Sequence, residues 1–527
     1  MAKTTKKTED KNAYDEVVYE SFAYPQTHHT HLYTVANLFG MNPVDFKHAN
    51  VLELGCAGGG NLAPLAYAYP EASFFGIDIS QEQVTQAEHM REKLGFDNLE
   101  FQQQDIMKFK PRNKREKYDY IICHGIFSWV PEVVRTRIFE ICNEYLSDNG
   151  LAIISYNALP GWNAVRSLRD MMIYHVKRFD NPVDKINQAR LLLQFLADNV
   201  NKSNASYLGI IENEIQLLSN ANASYFYHDH LEGENEQFYL SDFVKMAREH
   251  NLEYVGDTNV SSMYIGNMPQ DAMDKLKVIN DIVDQEQYMD FIKNRRFRSS
   301  ILCKQGNNIN RNLVKEKILD YYLSFTSPAT VSEESSEKKV TFNFAGFSFD
   351  TNEEISTTLF KELAAQGIKP IHAKELIKIT QEKLGLNGSE VVETILLNNG
   401  LNLLLRGFIN IYSDIPSYVS DISQKPEAYK VARYEAAMNN YSRNKVNNVF
   451  SNVVTTDVIT NIIIASLDGK NTLEDVLNIL LKNAKNNVIN VQLNGVQVKD
   501  EAQLREILQK GLEGILPKLA EKAFLIS

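Results

Sequence analysis

The sequence predicts an α/β molecule: a doubly wound, seven-stranded sheet broken by a helical insertion and followed by mainly α-helical domains. Three observations carry this. Short apolar runs alternate with amphipathic helical stretches from Val51 to Asn157. The pattern turns wholly helical from about Gly161 to Ala223. Two further strand-like runs then follow before the composition changes again.

Each element has its own warrant. "VLELG" (Val51 to Gly55) is an apolar run closed by glycine, as a parallel strand buried on both faces requires. "SFFGIDIS" (Ser73 to Ser80) is the second strand. Ser80 opens a helix with Gln83 three residues on, a capping-box pattern. Val84, Ala87, Met90 and Leu94 share one face of that helix, and Gly95 stops it. "LEFQQQD" (Leu99 to Asp105), "YDYIICHG" (Tyr118 to Gly125) and "GLAIISYN" (Gly150 to Asn157) are the next three strands. Between the last two, Pro131 begins a helix whose Val134, Ile138, Ile141 and Tyr145 recur at helical spacing. "LEYVGDTNV" (Leu252 to Val260) and "RFRSSILCKQ" (Arg296 to Gln305) supply the two last strands.

This divides the chain into a sheet domain over 1–160 and 224–305, a helical insertion over 161–223, a middle domain over 306–424 and a C-terminal domain over 425–527. Gly306 to Asn312 and the Ser/Glu/Lys-rich "SPATVSEESSEKK" (Ser327 to Lys339) read as polar breaks. Lys361 to Asp414 reads helix, helix, helix, strand, as a winged-helix-like module does, and "INVQLNGVQVKD" reads as a hairpin inside the final helical part.

With 527 residues, 44% of them hydrophobic, the chain has enough apolar material for several cores. Its net charge of -12 and pI of about 5.5 argue against a non-specific nucleic-acid binder. Cys56, Cys123, Cys142 and Cys303 form no CxxC pair and sit in apolar stretches, so they read as buried thiols of a reducing, cytoplasmic protein. No apolar run reaches the roughly 20 residues that span a bilayer, so no membrane insertion is expected. Met1 to Lys11 is charged, lacks the apolar core of a secretory signal and reads as a disordered tail.

The chemistry concentrates in "ELGCAGGGN" (Glu53 to Asn61). Glycines let a backbone approach a ligand closely, and the helix start that follows offers unpaired N–H groups. Dinucleotide-binding proteins use a similar turn. Glu53, two residues before Gly55, is awkward beside a pyrophosphate but suits a cofactor carrying a sulfonium and an amino group. Asp78 ends the next strand, where a carboxylate accepts hydrogen bonds from ribose hydroxyls. Asp105 follows the third strand and is placed to meet an adenine amino group; His124 and Gly125 follow the fourth. With Cys56, Ala57, Gly59, Asn61, Ile79 and Ile106 these form the candidate cofactor wall. The combined pattern resembles the class I (Rossmann-like) S-adenosylmethionine methyltransferases, whose motif runs acidic-x-Gly-x-Gly-x-Gly. Here Ala57 takes the middle glycine's place, and alanine adopts a positive φ only at a cost.

A narrower resemblance lies in "YDEVVYESFAYPQTH" (Tyr14 to His28), "LELGCAGGGNL" (Leu52 to Leu62), "CHGIFSWVP" (Cys123 to Pro131), "SYNALPGW" (Ser155 to Trp162), "HDHLE" (His228 to Glu232) and "EQYMDFIKNRRFRSSILC" (Glu286 to Cys303). These segments resemble bacterial methyltransferases with a methyltransferase regulatory domain, among them rickettsial protein-lysine methyltransferases that modify outer-membrane protein. "HHTHLYTVA" departs from the family's more Asp/Arg-containing stretch, so the resemblance gives His29 and His31 no role. It implies methyl transfer from S-adenosyl-L-methionine to a lysine ε-amine, a homodimer held by the helical insertion, and a cleft open to an unfolded protein substrate. Tyr14, Tyr19, Trp129, Tyr156 and Trp162 are the candidate aromatic pocket, since apolar walls lower an ammonium's pKa and aromatic faces attract cations. Asn157 is the candidate acceptor for the amine.

Three other features read blandly. His228 and His230 read as structural histidines on a solvated loop rather than metal ligands. Lys293 to Arg298, "KNRRFR", reads as a solvent-facing run of ion pairs. "ELIKITQEKLG" is mixed in charge and unsuited to a DNA groove. A methyltransferase for RNA or a small metabolite, and a cofactor-binding scaffold without turnover, are the alternatives. The acidic balance disfavours RNA, the long accessory half disfavours a metabolite, and the intact carboxylate set disfavours a scaffold.

Overall fold

The computed structural model describes residues 20–113, 116–219, 223–231, 233–334, 339–493, 496–498 and 500–527. Its centre is a sheet of β1 (Asn50–Leu54), β2 (Ser73–Asp78), β3 (Leu99–Gln103), β4 (Tyr118–Cys123), β5 (Leu146–Asn157), β6 (Leu252–Asp257) and β7 (Phe297–Lys304), in the order β3-β2-β1-β4-β5-β7-β6. Strands β1 to β5 run parallel, and β7 runs antiparallel to both β5 and β6. All seven fall where the sequence places them. The fifth begins earlier, at Leu146, because a register shift lets Leu146 pair with Tyr118. The strand order reverses between β1 and β4. That reversal opens a crevice at the carboxyl edge, where ligands bind in such sheets.

The strands are apolar throughout because both faces are covered. Val51, Phe74, Ile122 and Ile153 feed one core, while Leu52, Phe75, Ile121 and Ile154 feed the other, as strand alternation demands. The helix Gln81–Leu94 forms as expected: Ser80 Oγ accepts from Gln83 N, Gly95 closes it at φ 63°, and Val84, Ala87, Met90 and Leu94 are buried.

The insertion comprises helices Trp162–Val176, Pro182–Asn199, Ala205–Ser219 and Ala223–Leu231, and so runs past the expected end at Ala223. It has a core of its own around Leu168, Met172, Leu193, Ile211 and Phe226. His228 and His230 therefore lie on a helix and are buried, not on a solvated loop.

Two further corrections concern polar segments. The stretch Ser327 to Lys339 is not only a break: Thr330–Glu334 is a strand paired antiparallel with Lys339–Phe344, which pairs in turn with Phe347–Thr351. Val331 sits opposite the buried Phe342, while Thr330, Ser332 and Glu333 are exposed, and a strand this wet reads as polar sequence. In the basic run, Arg298 is 1% exposed. Its guanidinium forks onto Asp290 at 2.6 and 2.9 Å and reaches Glu286 at 3.0 Å. Arg295 pairs with Asp257 at 2.7 Å. The helix Ile282–Lys293 turns Glu286 and Asp290 inward one turn apart, and β7 brings Arg298 to them.

The middle region combines helices Glu354–Ala365, Ala373–Leu384 and Glu390–Arg406 with strands Tyr322–Phe325, Ile371–His372 and Ile409–Tyr412. The last region holds helices Lys430–Ala437, Val458–Ser466, Leu473–Lys485 and Glu501–Glu521, and the expected hairpin appears as Gln492–Leu493 paired with Val496–Gln497. One hydrophobic core runs from the sheet's first face into this last region, joining Leu65 and Val84 to Val431, Ile462 and Leu512. Among the described residues no helix is long and apolar enough to cross a membrane. All four cysteines are buried and unpaired.

Removing the buried cation should be costly. Arg298→Met strips Glu286 and Asp290 of the guanidinium between them, leaving Tyr254 Oη on the one and Arg295 at 3.7 Å on the other, and is expected to destabilise the sheet domain by about 3–5 kcal/mol. A chemical-denaturation midpoint followed by tryptophan fluorescence checks this, since the only two tryptophans, Trp129 and Trp162, follow β4 and β5.

Candidate active site

The turn after β1 is fixed by backbone and carboxylate together. Gly55 N and Cys56 N both donate to Ile77 O. Gly55 has φ 73°, and a Cβ there would lie 2.3 Å from Ile126 Cδ1. Asp78 accepts from Ala57 N through Oδ2 and from Ser80 N through Oδ1, both at 2.9 Å. Ala57 consequently sits at φ 46°, the left-handed conformation that alanine was expected to resist. A hydrogen bond to the carboxylate offsets that local cost, of about 1–2 kcal/mol.

Glu53 projects from β1 beneath this turn and is 4% exposed. Its Oε1 accepts from Asn61 Nδ2 at 2.7 Å. Its Oε2 is buried with no hydrogen-bond partner. Burial pushes its pKa up to about 8, and the repulsion of Asp78 adds to this. Asn61 is held in turn by Tyr24 N at 2.9 Å and Thr27 Oγ1 at 3.0 Å.

These groups border a cavity of about 530 Å³. Glu53, Gly55, Cys56, Ala57, Asn61, Asp78, His124 and Gly125 line one part of it, and Trp129, Asn157 and Trp162 line another. His124 stands between Tyr24, at 4.4 Å, and Phe297, at 6.0 Å. Its Nδ1 is buried without a partner, and burial lowers its pKa to about 4, so the ring is neutral. Trp129 and Trp162 meet edge to face at 6.2 Å. Arg296 lies 5.9 Å from the Trp162 ring and is paired with the buried Glu214 at 3.2 Å.

Other expected residues lie elsewhere. Tyr156 is a core residue: it is 1% exposed, stacks on Phe243 at 4.1 Å, and its hydroxyl is 3.1 Å from Ser300 Oγ. Alternation along β5 buries it while its neighbour Asn157 reaches the cavity. Gly59 is buried behind the turn, where a Cβ would lie 2.5 Å from Phe101 Cζ. Ile79 points to solvent, Ile106 packs against the core, and Asp105 caps the turn Ile106–Lys108 by accepting from Met107 N at 2.9 Å; none of the three lines the cavity. Tyr14 and Tyr19 lie outside the described residues.

Sequence reasoning missed Phe22, Tyr24, Leu217, His228, Arg296 and Phe297 as cavity walls. Phe297 was legible only through the register that sets it opposite Asn157 across an antiparallel pair. His230 is held at 3.7 Å from Glu214, and burial lowers its pKa to about 3. Among the described residues no cluster of three metal-ligating side chains occurs.

The cavity is therefore bordered by a buried, unpartnered carboxyl oxygen, a narrow glycine turn and a second carboxyl group at the end of β2. This set fits a cationic, ribose-bearing cofactor.

Comparison with known proteins agrees. A methyltransferase-domain model matches residues 45–196, a model of a predicted methyltransferase regulatory domain matches 222–304, and a model of a PKMT C-terminal winged helix domain matches 424–524. The regulatory match covers β6 and β7, so that segment completes the catalytic sheet. The winged-helix name falls on the final region, not on Lys361 to Asp414. The chain is 37% identical over 530 residues to the Rickettsia prowazekii protein RP789, covering 98% of this chain and 94% of that one. It is 36% identical over 244 residues to Rickettsia prowazekii RP028, covering 46% of this chain and 96% of the relative. The solved structure of PKMT2 from Rickettsia typhi in complex with AdoHcy superposes with a TM-score of 0.84 at 30% identity, covering 97% of this chain and 100% of that one.

A carboxyl with a pKa near 8 is protonated at neutral pH in the empty site, and a ligand ammonium favours its ionised form. Binding of S-adenosylhomocysteine at pH 7 is thus expected to release roughly one proton, with affinity rising as pH climbs toward about 8. Calorimetry in buffers of different ionisation heat measures this. Glu53→Gln should bind more weakly and release none; equal release by both proteins would remove Glu53 from the role.

Proposed function

The chain belongs to the bacterial family of S-adenosylmethionine-dependent methyltransferases that carry the methyltransferase regulatory domain, and we propose that its methyl acceptor is the ε-amine of lysine in a protein. The observation that carries this reading is the acceptor end of the cavity. Both tryptophans of the chain meet there, beside Asn157, at the carboxyl edge of the sheet.

S-adenosylmethionine supplies, when bound, a methyl group on a sulfonium, which makes the departing thioether a good leaving group. The protein's own work is placement, desolvation and charge. Glu53 would meet the cofactor's ammonium end, and Asp78, at the end of β2, would meet the ribose. Asp105 lies off the cavity wall and takes no part in this assignment. A lysine ammonium has no lone pair and must lose a proton before it attacks. Trp129 and Trp162 favour that loss by excluding water, since an ammonium in apolar surroundings titrates below its usual pKa of roughly 10.4. Asn157 Nδ2 is engaged by Asn235 Oδ1 at 3.2 Å, which leaves Asn157 Oδ1 to accept from the amine and aim its lone pair.

The acidic chain, at -12, suits a lysine-bearing partner, and we assign the substrate to the outer-membrane or surface proteins of a bacterium, met as an unfolded segment. Val183, Leu191 and Phe195 stand exposed on one helix of the insertion, with Tyr174 exposed on the helix before it. A second copy of the chain covering this face gives the homodimer that the resemblance implies.

The test is incubation with radiolabelled cofactor and a panel of unfolded surface proteins, peptides and RNA, with mass spectrometry to place the label. Label on lysine Nζ is expected; label confined to RNA or a small metabolite would refute the reading. Trp162→Ala and Asn157→Ala should each lower kcat about tenfold or more while S-adenosylhomocysteine affinity stays within about threefold. Parallel losses in both would move these residues to the cofactor side.

A further inference from the structure

The cofactor cavity has a wall that the motif does not supply. Glu20, Ser21, Phe22 and Tyr24 line it from the segment before the first helix. Ser21 is pressed onto the glycine turn: its Oγ accepts from Gly60 N at 2.8 Å, and a Cβ on Gly60 would lie 2.6 Å from Ser21 O. The last region also reaches this segment. Arg443 donates from Nη2 to Ser21 O at 3.0 Å, and its guanidinium covers the Phe22 ring at 4.8 Å, with Lys445 Nζ at 5.3 Å from the same ring.

Arg443 is aimed before it meets the segment. Its Nη2 lies 3.9 Å from Glu435, which is 2% exposed and accepts from both Asn447 N and Asn447 Nδ2 at 2.7 Å. Its Nε donates to Lys445 O at 2.8 Å, and its carbonyl accepts from Asn461 Nδ2. The region that carries it is seated on the sheet domain nearby. Lys430 Nζ donates to Leu94 O at the end of the helix Gln81–Leu94, and Tyr429 meets Tyr67 edge to face at 4.8 Å.

We infer that Arg443 is a positioning residue of the methyl-donor site: from the C-terminal region it holds Ser21 and Phe22 against the glycine turn, and so couples docking of that region to cofactor binding. A fork that donates to a carbonyl while stacking on a ring fixes both the distance and the tilt of the segment. Coupling of this kind is reciprocal. A bound cofactor would tighten the seat of the C-terminal region by the same factor that the seat tightens the cofactor.

The test uses the full chain and S-adenosylhomocysteine as the probe. Arg443→Ala is expected to weaken its binding about 5- to 50-fold and to raise the cofactor KM, with kcat at saturating cofactor within about twofold of the parent. Arg443→Lys, which keeps the charge over Phe22 but loses the fork, should recover part of the affinity. In a Phe22→Leu background the Arg443→Ala penalty should shrink, since the two changes remove one shared contact. Conversely, S-adenosylhomocysteine should raise the thermal midpoint of the parent more than that of Arg443→Ala. The inference is overturned if folded Arg443→Ala binds the probe within twofold of the parent, or if kcat falls with KM unmoved. If Arg443→Ala does not fold, Arg443→Lys decides, and parent-like affinity in it counts against the inference. A parent chain that binds no probe at all would overturn the cofactor site itself, and this inference with it.

Discussion

A carboxyl held away from water, with one oxygen bonded and the other buried without a partner at the edge of a cavity, is the constraint on which this site depends. Glu53 is paid for, in folding terms, by Asn61, and Asn61 is held by Tyr24 and Thr27 from a segment earlier in the chain. An acid placed this way is unfavourable in the empty protein and favourable once a cation arrives, so the same burial that lifts its pKa gives the site its preference for a positively charged ligand. Asp78 plays a different part. It spends one lone pair of each oxygen on the backbone of the turn, which keeps Ala57 in a conformation alanine otherwise avoids.

The sheet was legible in the sequence for a physical reason. Parallel strands buried on both faces are continuous apolar runs, and Ser80 and Gly95 are helix signals that act within a few residues. The cavity residues at the ends of β1, β2 and β4 were legible for the same reason, since they hang on strand ends. What escaped depends on long-range register. Tyr156 and Asn157 are neighbours, and only the pleat decides which faces the cavity. Arg298 looked like a surface cation because its partners, Glu286 and Asp290, are turned inward by a helix whose packing local periodicity does not disclose. The strand Thr330–Glu334 was hidden because its exposed Thr330, Ser332 and Glu333 make polar sequence.

The boundaries between regions also proved less separable than composition implies. The segment matching a regulatory domain provides two of the seven strands, and one of them, β7, places Phe297 and Arg296 on the cavity. The final region shares a continuous core with the sheet's first face, and its Arg443 donates to Ser21 O on the cavity wall. Function here is a property of the assembled chain more than of the motif-bearing part.

The position of β7 has a consequence for how the protein is made. It is inserted between β5 and β6 although it is the last of the seven to leave the ribosome, and it pairs Phe297 with Asn157 across the whole helical insertion. Until residue 304 emerges, β5 offers an open edge of apolar backbone, the kind of template that recruits other chains. The four insertion helices, which pack around a core of their own, can form during that interval. The slowest closure in the sheet is thus also the one that adds Arg296 and Phe297 to the cavity wall, so a chain stalled before β7 carries the glycine turn, Trp129, Asn157 and Trp162 around an unfinished cavity.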